Sequence, residues 1–65
     1  MAQHTLTFKG VTSTDQVNRI TTALMMLDGV DSAEVGRHGA EVEGRARREA
    51  LIRAVEALNL GVSIS

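Results

Sequence analysis

The chain has 65 residues, no cysteine and a formal net charge of -1. That length builds one domain at most, near the lower limit for folding without a metal or cross-links, and the composition excludes disulfides and thiolate metal staples as sources of stability. Near-neutrality argues against a general electrostatic grip on nucleic acid or an anionic membrane.

Stability must come from apolar burial, with Phe8 as the single aromatic residue and Leu, Ile, Val, Ala and Met as the other core material. The opening segment Met1-Ala2-Gln3-His4-Thr5 has neither the basic start nor the apolar run of a signal peptide. No apolar run approaches membrane-spanning length. A soluble cytoplasmic protein is the expectation.

Thr5-Leu6-Thr7-Phe8-Lys9 alternates, with Leu6 and Phe8 on one face, and predicts a strand that Gly10 ends. Val17, Ile20, Leu24 and Leu27 then recur at spacings of three and four, which makes one helical stripe. Ser13-x-x-Gln16 at its start is a capping-box pattern, Asp15 suits the positive end of the helix dipole, and Gly29 fits the helix stop. Two short strands follow. Ala33 and Val35 face one way against Ser32 and Glu34; after the turn Arg37-His38-Gly39, Ala40 and Val42 face in and Glu41 and Glu43 out.

From about Arg45 the pattern is helical again, with Leu51, Val55 and Leu58 as the main stripe and Ile52 and Ala54 widening it. Asn59 is a plausible left-handed cap. Leu60, Val62 and Ile64 alternate with Gly61, Ser63 and Ser65 and predict a last strand. The order β-α-β-β-α-β, with one apolar stripe per helix, predicts an α+β, ferredoxin-like two-layer sandwich in which both helices cover one face of a four-stranded antiparallel sheet. The whole chain, 1–65, is needed to close that core as a single domain.

Four blocks of the chain resemble heavy-metal-associated domains, the small copper and mercury chaperone modules. They are Gly10-Val11-Thr12, Ala23-Leu24 leading into Leu27-Asp28-Gly29-Val30, Ala33-Glu34-Val35, and Glu49 through Leu58. These are largely packing positions, so the resemblance speaks for the fold more than for the activity. It implies a loop after the first strand that carries a soft metal ion and passes it to a partner of the same fold.

That loop reads Gly-Met-Thr-Cys-x-x-Cys in the family, and Ser13 and Gln16 stand where its two cysteines would be. Val11 replaces the methionine, and Leu60 stands where bacterial members often have a tyrosine behind the site. Cu(I), Zn(II) and Hg(II) favour polarizable sulfur, whereas a serine hydroxyl is hard and protonated and a glutamine carbonyl is a weak neutral donor. Loss of both thiolates predicts loss of tight soft-metal binding at Ser13 and Gln16, and no cofactor is expected. The plainest role for the two residues is to close the helix end, a cap of this kind being worth about 1 kcal/mol.

Other side chains are candidates for a site. His4 and His38 are the only imidazoles; the topology separates them by roughly 15 Å at about 3.3 Å per residue, too far to share an ion. His38 is the weak metal candidate of the two, and His4 reads as a frayed strand end. Met25 and Met26 offer thioethers but read better as fillers of core gaps. Glu34, Glu41 and Glu43 read as a solvated sheet face with Lys9 as counter-charge.

Arg45, Arg47 and Arg48 crowd the expected first turn of the second helix, where the dipole disfavours positive charge, with Arg45–Glu49 and Glu49–Arg53 as compensating pairs. Such a cluster marks a possible surface for an anion or an acidic partner. No catalytic constellation or phosphate-binding glycine loop is present.

Two functional readings follow. In the first, a non-enzymatic module has lost its metal and acts by protein–protein interaction, with a protein partner such as another domain of the same fold. In the second, an ion is bound through a non-cysteine set, by His38 and carboxylates or between two copies. Neither nucleic acid nor membrane is an expected partner, and the chain is expected as a monomer or weak homodimer with an unguarded edge strand.

Overall fold

The computed structural model describes residues 2–65, so Met1 of the opening segment lies outside the described residues. The elements are β1 (Ala2–Lys9), α1 (Thr14–Met25), β2 (Val30–Val35), β3 (Gly39–Gly44), α2 (Arg48–Glu56) and β4 (Ser63–Ile64). The sheet order is β2-β3-β1-β4, and every neighbouring pair is antiparallel. This is the ferredoxin-like βαββαβ arrangement that the periodicity predicts.

The core lies between the sheet and the two helices. Leu6 and Phe8 from β1, Ala40 and Val42 from β3, Ile20 and Leu24 from α1, and Leu51 and Val55 from α2 are buried, and Val11 joins them from the first loop. These are the inward positions of the alternating strands and the two helical stripes. No polar side chain is buried among the described residues. Among the described residues no helix is long and apolar enough to cross a membrane.

Several boundaries differ from the sequence expectation. β1 starts three residues earlier, because its pairing with β3 runs from Ala2↔Gly44 to Thr7↔Gly39. His4 is therefore within a paired strand rather than at a frayed end. β4 is only Ser63–Ile64, not the whole run from Leu60; Asn59 and Gly61 both have positive φ (56° and 71°), which turns the chain before extended pairing begins. The register between β2 and β3 slips between Val30 and Ser32, opposite Gly44. Gly44 sits at φ 142°, where an added Cβ would run into the Gly29 carbonyl, so only glycine fits this bulge.

The second helix also begins later than Arg45. Arg45 donates its backbone N–H to the Gly29 carbonyl at 2.6 Å and Ala46 does so at 3.0 Å, which holds both in the connection. Arg47 is the N-cap and makes no side-chain capping bond, so only Arg48 lies inside the first turn.

Candidate functional site at the first loop

The loop between β1 and α1 is built around Gln16. Its Oε1 accepts from the backbone N–H of Thr12 at 2.7 Å, from the Thr12 hydroxyl at 3.2 Å and from the backbone N–H of Ser13 at 3.1 Å. Ser13 Oγ accepts in return from the backbone N–H of Gln16 at 3.3 Å, completing the capping box. At its other end the same amide donates from Nε2 to the carbonyl of Leu60 at 3.5 Å. This orientation gives each amide atom a partner of the opposite kind.

Two anchors hold the loop to the body of the domain. Val11 is buried in the core beneath it. Gly10, at φ 95°, lets the backbone pass the connection that leads to β4, where an added Cβ would come within 3.2 Å of the Gly61 carbonyl.

This geometry decides what the loop can do chemically. A carbonyl oxygen has two lone-pair directions, and Gln16 Oε1 already takes three donors. Ser13 Oγ is engaged as an acceptor and remains a neutral, hard ligand. The two side chains do not fit a soft cation in the arrangement seen, and the loop is closed by hydrogen bonds instead.

The remaining sequence candidates are scattered. The backbone N–H of Phe8 bonds the His38 carbonyl at 2.8 Å, so His38 lies four residues along the register from His4, which faces Val42. His38 is exposed and shares a shallow depression of about 480 Å³ with Thr5, Thr7, Glu34 and Glu41. Among the described residues, no three His, Cys, Asp or Glu side chains come together in a way that could hold an ion. Glu34 lies directly opposite Glu41 in the β2–β3 register. The Gln3 amide donates to Glu41 at 3.4 Å, and among the described residues Lys9 makes no ion pair with the three glutamates, so the expected counter-charge is not in place.

Two further expectations are corrected. Met25 and Met26 are 48% and 79% exposed, not core fillers, because α1 ends at Met25 with its buried stripe on Ile20 and Leu24. Met26 instead borders a groove of about 430 Å³ with Asn18, Arg19, Thr22, Ala23 and Leu58. The pairs Arg45–Glu49 and Glu49–Arg53 do not form. Among the described residues the ion pair within α1, Asp15–Arg19 at 3.0 Å, is the one present.

Two contacts went unread in the sequence. His4 Nε2 lies 3.1 Å from the Ala46 carbonyl, and Arg48 Nη1 donates to the Thr5 carbonyl at 2.7 Å. The first had a signal, since His4 shares the inward face of Leu6 and Phe8. The second had none.

No protein-family model matches the chain, and no curated protein matches it. Solved structures do. The CopZ metallochaperone superposes with a TM-score of 0.87 at 22% identity, covering 98% of this chain and 100% of that one. A copper binding domain from HMA7, a P-type ATPase, gives 0.88 at 23% identity over 100% of this chain and 92% of its own. The N-terminal domain of a potential copper-translocating P-type ATPase from Bacillus subtilis, in its Cu(I)-loaded state, gives 0.84 at 26% identity over 97% and 82%.

The chain has the heavy-metal-associated domain fold. Its structural neighbours are copper chaperone and copper-binding domains, and this chain departs from the heavy-metal-associated pattern by having no cysteine. Within that fold, the first loop is held by a glutamine side chain and a serine cap.

Proposed function

We propose that this chain is a non-enzymatic binding module of the heavy-metal-associated type that works through protein–protein contact and carries no soft metal ion on its first loop. The observation behind this reading is the saturation of Gln16 Oε1 by Thr12 and Ser13. A side chain committed in this way stabilises the loop without an ion, so the module has its docking shape in the metal-free state. The exposed arginines Arg45, Arg47 and Arg48 form the basic part of the interaction surface. The partner is a protein, with another domain of the same fold as one form it takes, and the setting is the cytoplasm.

The test is competition for Cu(I) against a chelator of moderate affinity, with folding followed in parallel. The metal-free chain is expected to be folded and to take up no stoichiometric Cu(I); stoichiometric uptake ends this reading.

The second reading, an ion held by His38 with carboxylates or between copies, has one observation in its favour: the depression that His38 shares with Glu34 and Glu41. Titration with Zn(II), Ni(II) and Cu(I) followed by NMR separates the two. Selective, saturable shifts at His38, or at Ser13–Gln16, favour an ion; an unresponsive spectrum favours the protein-interaction module.

A further inference from the structure

Opposite charges are segregated along the chain and again in space. Residues 31–43 carry Asp31, Glu34, Glu41 and Glu43, with Arg37 in the turn; residues 45–53 carry Arg45, Arg47, Arg48 and Arg53, with Glu49. Glu34 alternates with Ala33 and Val35, and Glu41 and Glu43 with Ala40 and Val42, which pack into the core. The three glutamates therefore lie on the outer face of the sheet. α2 covers the other face with Leu51 and Val55, and the exposed Arg47 and Arg48 stand at its start. The chain changes layer just after Gly44, where the Arg45 and Ala46 N–H groups turn onto the Gly29 carbonyl. Among the described residues no ion pair joins the two groups.

Each group is also placed against its own local electrostatics. Glu34 stands directly opposite Glu41, and like charges across a strand pair are unfavourable. Arg47 and Arg48 sit at the positive end of the α2 dipole, and Arg47 makes no capping bond there. A guanidinium brought onto the Glu34–Glu41 pair relieves both at once. The sheet leaves room for it. Beside the row Glu34, Glu41 and Thr5 runs the row Gly36, Gly39 and Thr7, and these residues line the depression of about 480 Å³. Gly39 keeps it open, because an added Cβ would run into the Leu6 carbonyl.

We infer that the acidic outer face of the sheet is a docking surface for a second copy of this chain, which seats Arg47 and Arg48 on Glu34 and Glu41. The two surfaces lie on opposite layers of the domain, so the contact is head-to-tail. Each chain in the pair then has one surface of each kind left for a further copy. Arg48 retains the bond from Nη1 to the Thr5 carbonyl, since a guanidinium has further donors for a carboxylate. The inference rests on the protein-interaction reading and names its same-fold partner. It fails separately, because Cu(I) uptake bears on the first loop and self-association on these two faces.

The test is sedimentation of the metal-free chain over a range of concentrations at low and high salt, with amide spectra recorded in parallel. Mass is expected to rise beyond the dimer with concentration, with shifts at Glu34, Glu41, Arg47 and Arg48. High salt is expected to weaken the association about tenfold, as for a few exposed ion pairs. Glu34→Gln/Glu41→Gln and Arg47→Gln/Arg48→Gln each remove one surface, so each variant alone associates about tenfold more weakly than the parent. Their equimolar mixture restores the affinity and stops at a dimer, since one intact surface of each kind remains. A parent that is monomeric throughout, stops at a dimer or associates independently of salt overturns the inference. So do shifts confined to the α1–α2 groove and a mixture no stronger than either variant. A monomeric parent that binds an arginine-rich peptide at Glu34 and Glu41 overturns it too, by assigning the face to a different basic partner.

Discussion

Gln16 Nε2 donates to the backbone carbonyl of Leu60 at 3.5 Å, across 44 residues of sequence. One side chain thereby ties the turn that enters α1 to the turn that enters β4. Both lie at the end of the domain where the family's metal loop would sit, so Gln16 holds that region together through hydrogen bonds of its own.

Replacing Gln16 by Ala removes the acceptor for the Thr12 and Ser13 N–H groups and the link to Leu60. The expected loss is about 1 kcal/mol, typical of a helix cap, and for a domain of this size a fall in Tm of about 4–8 °C. Gln16→Glu keeps the acceptor and loses the donor, so its loss is smaller. Urea titration of the three proteins measures the order, and an Ala variant as stable as the parent shows that the network contributes nothing.

The double variant Ser13→Cys/Gln16→Cys places two thiols on a loop whose backbone has the metal-domain fold. It is expected to take up one Cu(I) in competition with a moderate chelator, while the parent and both single variants do not. The metal-free double variant loses the cap and is less stable than the parent; ligand binding to the folded state then restores stability. Failure of the double variant to bind while it remains folded shows that the loop path, and not only the side chains, has changed.

The sequence made the layered fold legible because each strand alternates and each helix has a single stripe, and Leu6, Phe8, Ile20, Leu24, Val42, Leu51 and Val55 all fall where those periods place them. The capping box at Ser13 and Gln16 was legible because it is local, requiring only a spacing of three. Contacts across the fold were not. The Leu60 carbonyl reached by Gln16 and the Thr5 carbonyl reached by Arg48 are backbone acceptors, which leave no trace in side-chain pattern. The start of α2 was misread because Gly29 captures the Arg45 and Ala46 N–H groups. Met25 and Met26 lie outside the core because they are offset from the Ile20–Leu24 stripe, and on a helix that offset outweighs residue type.

Glu34 and Glu41 face each other directly across β2 and β3 on the exposed side of the sheet. Like charges in that position are unfavourable, so Glu34→Lys is expected to stabilise the fold by about 0.5 kcal/mol. The gain should shrink as salt is raised, since both side chains are exposed. Repeating the substitution in a Glu41→Gln background isolates the pair: a gain that is unchanged there places its origin elsewhere.

Leu24 and Met26 lie two residues apart, yet Leu24 is 0% exposed and Met26 79%. Leu24→Ala opens a cavity between α1 and the sheet and is expected to cost about 3 kcal/mol. A chain of this length has total stability on the order of 3–10 kcal/mol, so the variant loses roughly a third of it or more and is expected to unfold at a clearly lower temperature. Met26→Ser removes only surface contacts and should stay within about 0.5 kcal/mol of the parent. Circular dichroism during thermal unfolding compares the two. A Met26→Ser variant as unstable as Leu24→Ala would mean that the end of α1 packs more deeply than its exposure indicates, and the groove beside it would lose its standing as open surface.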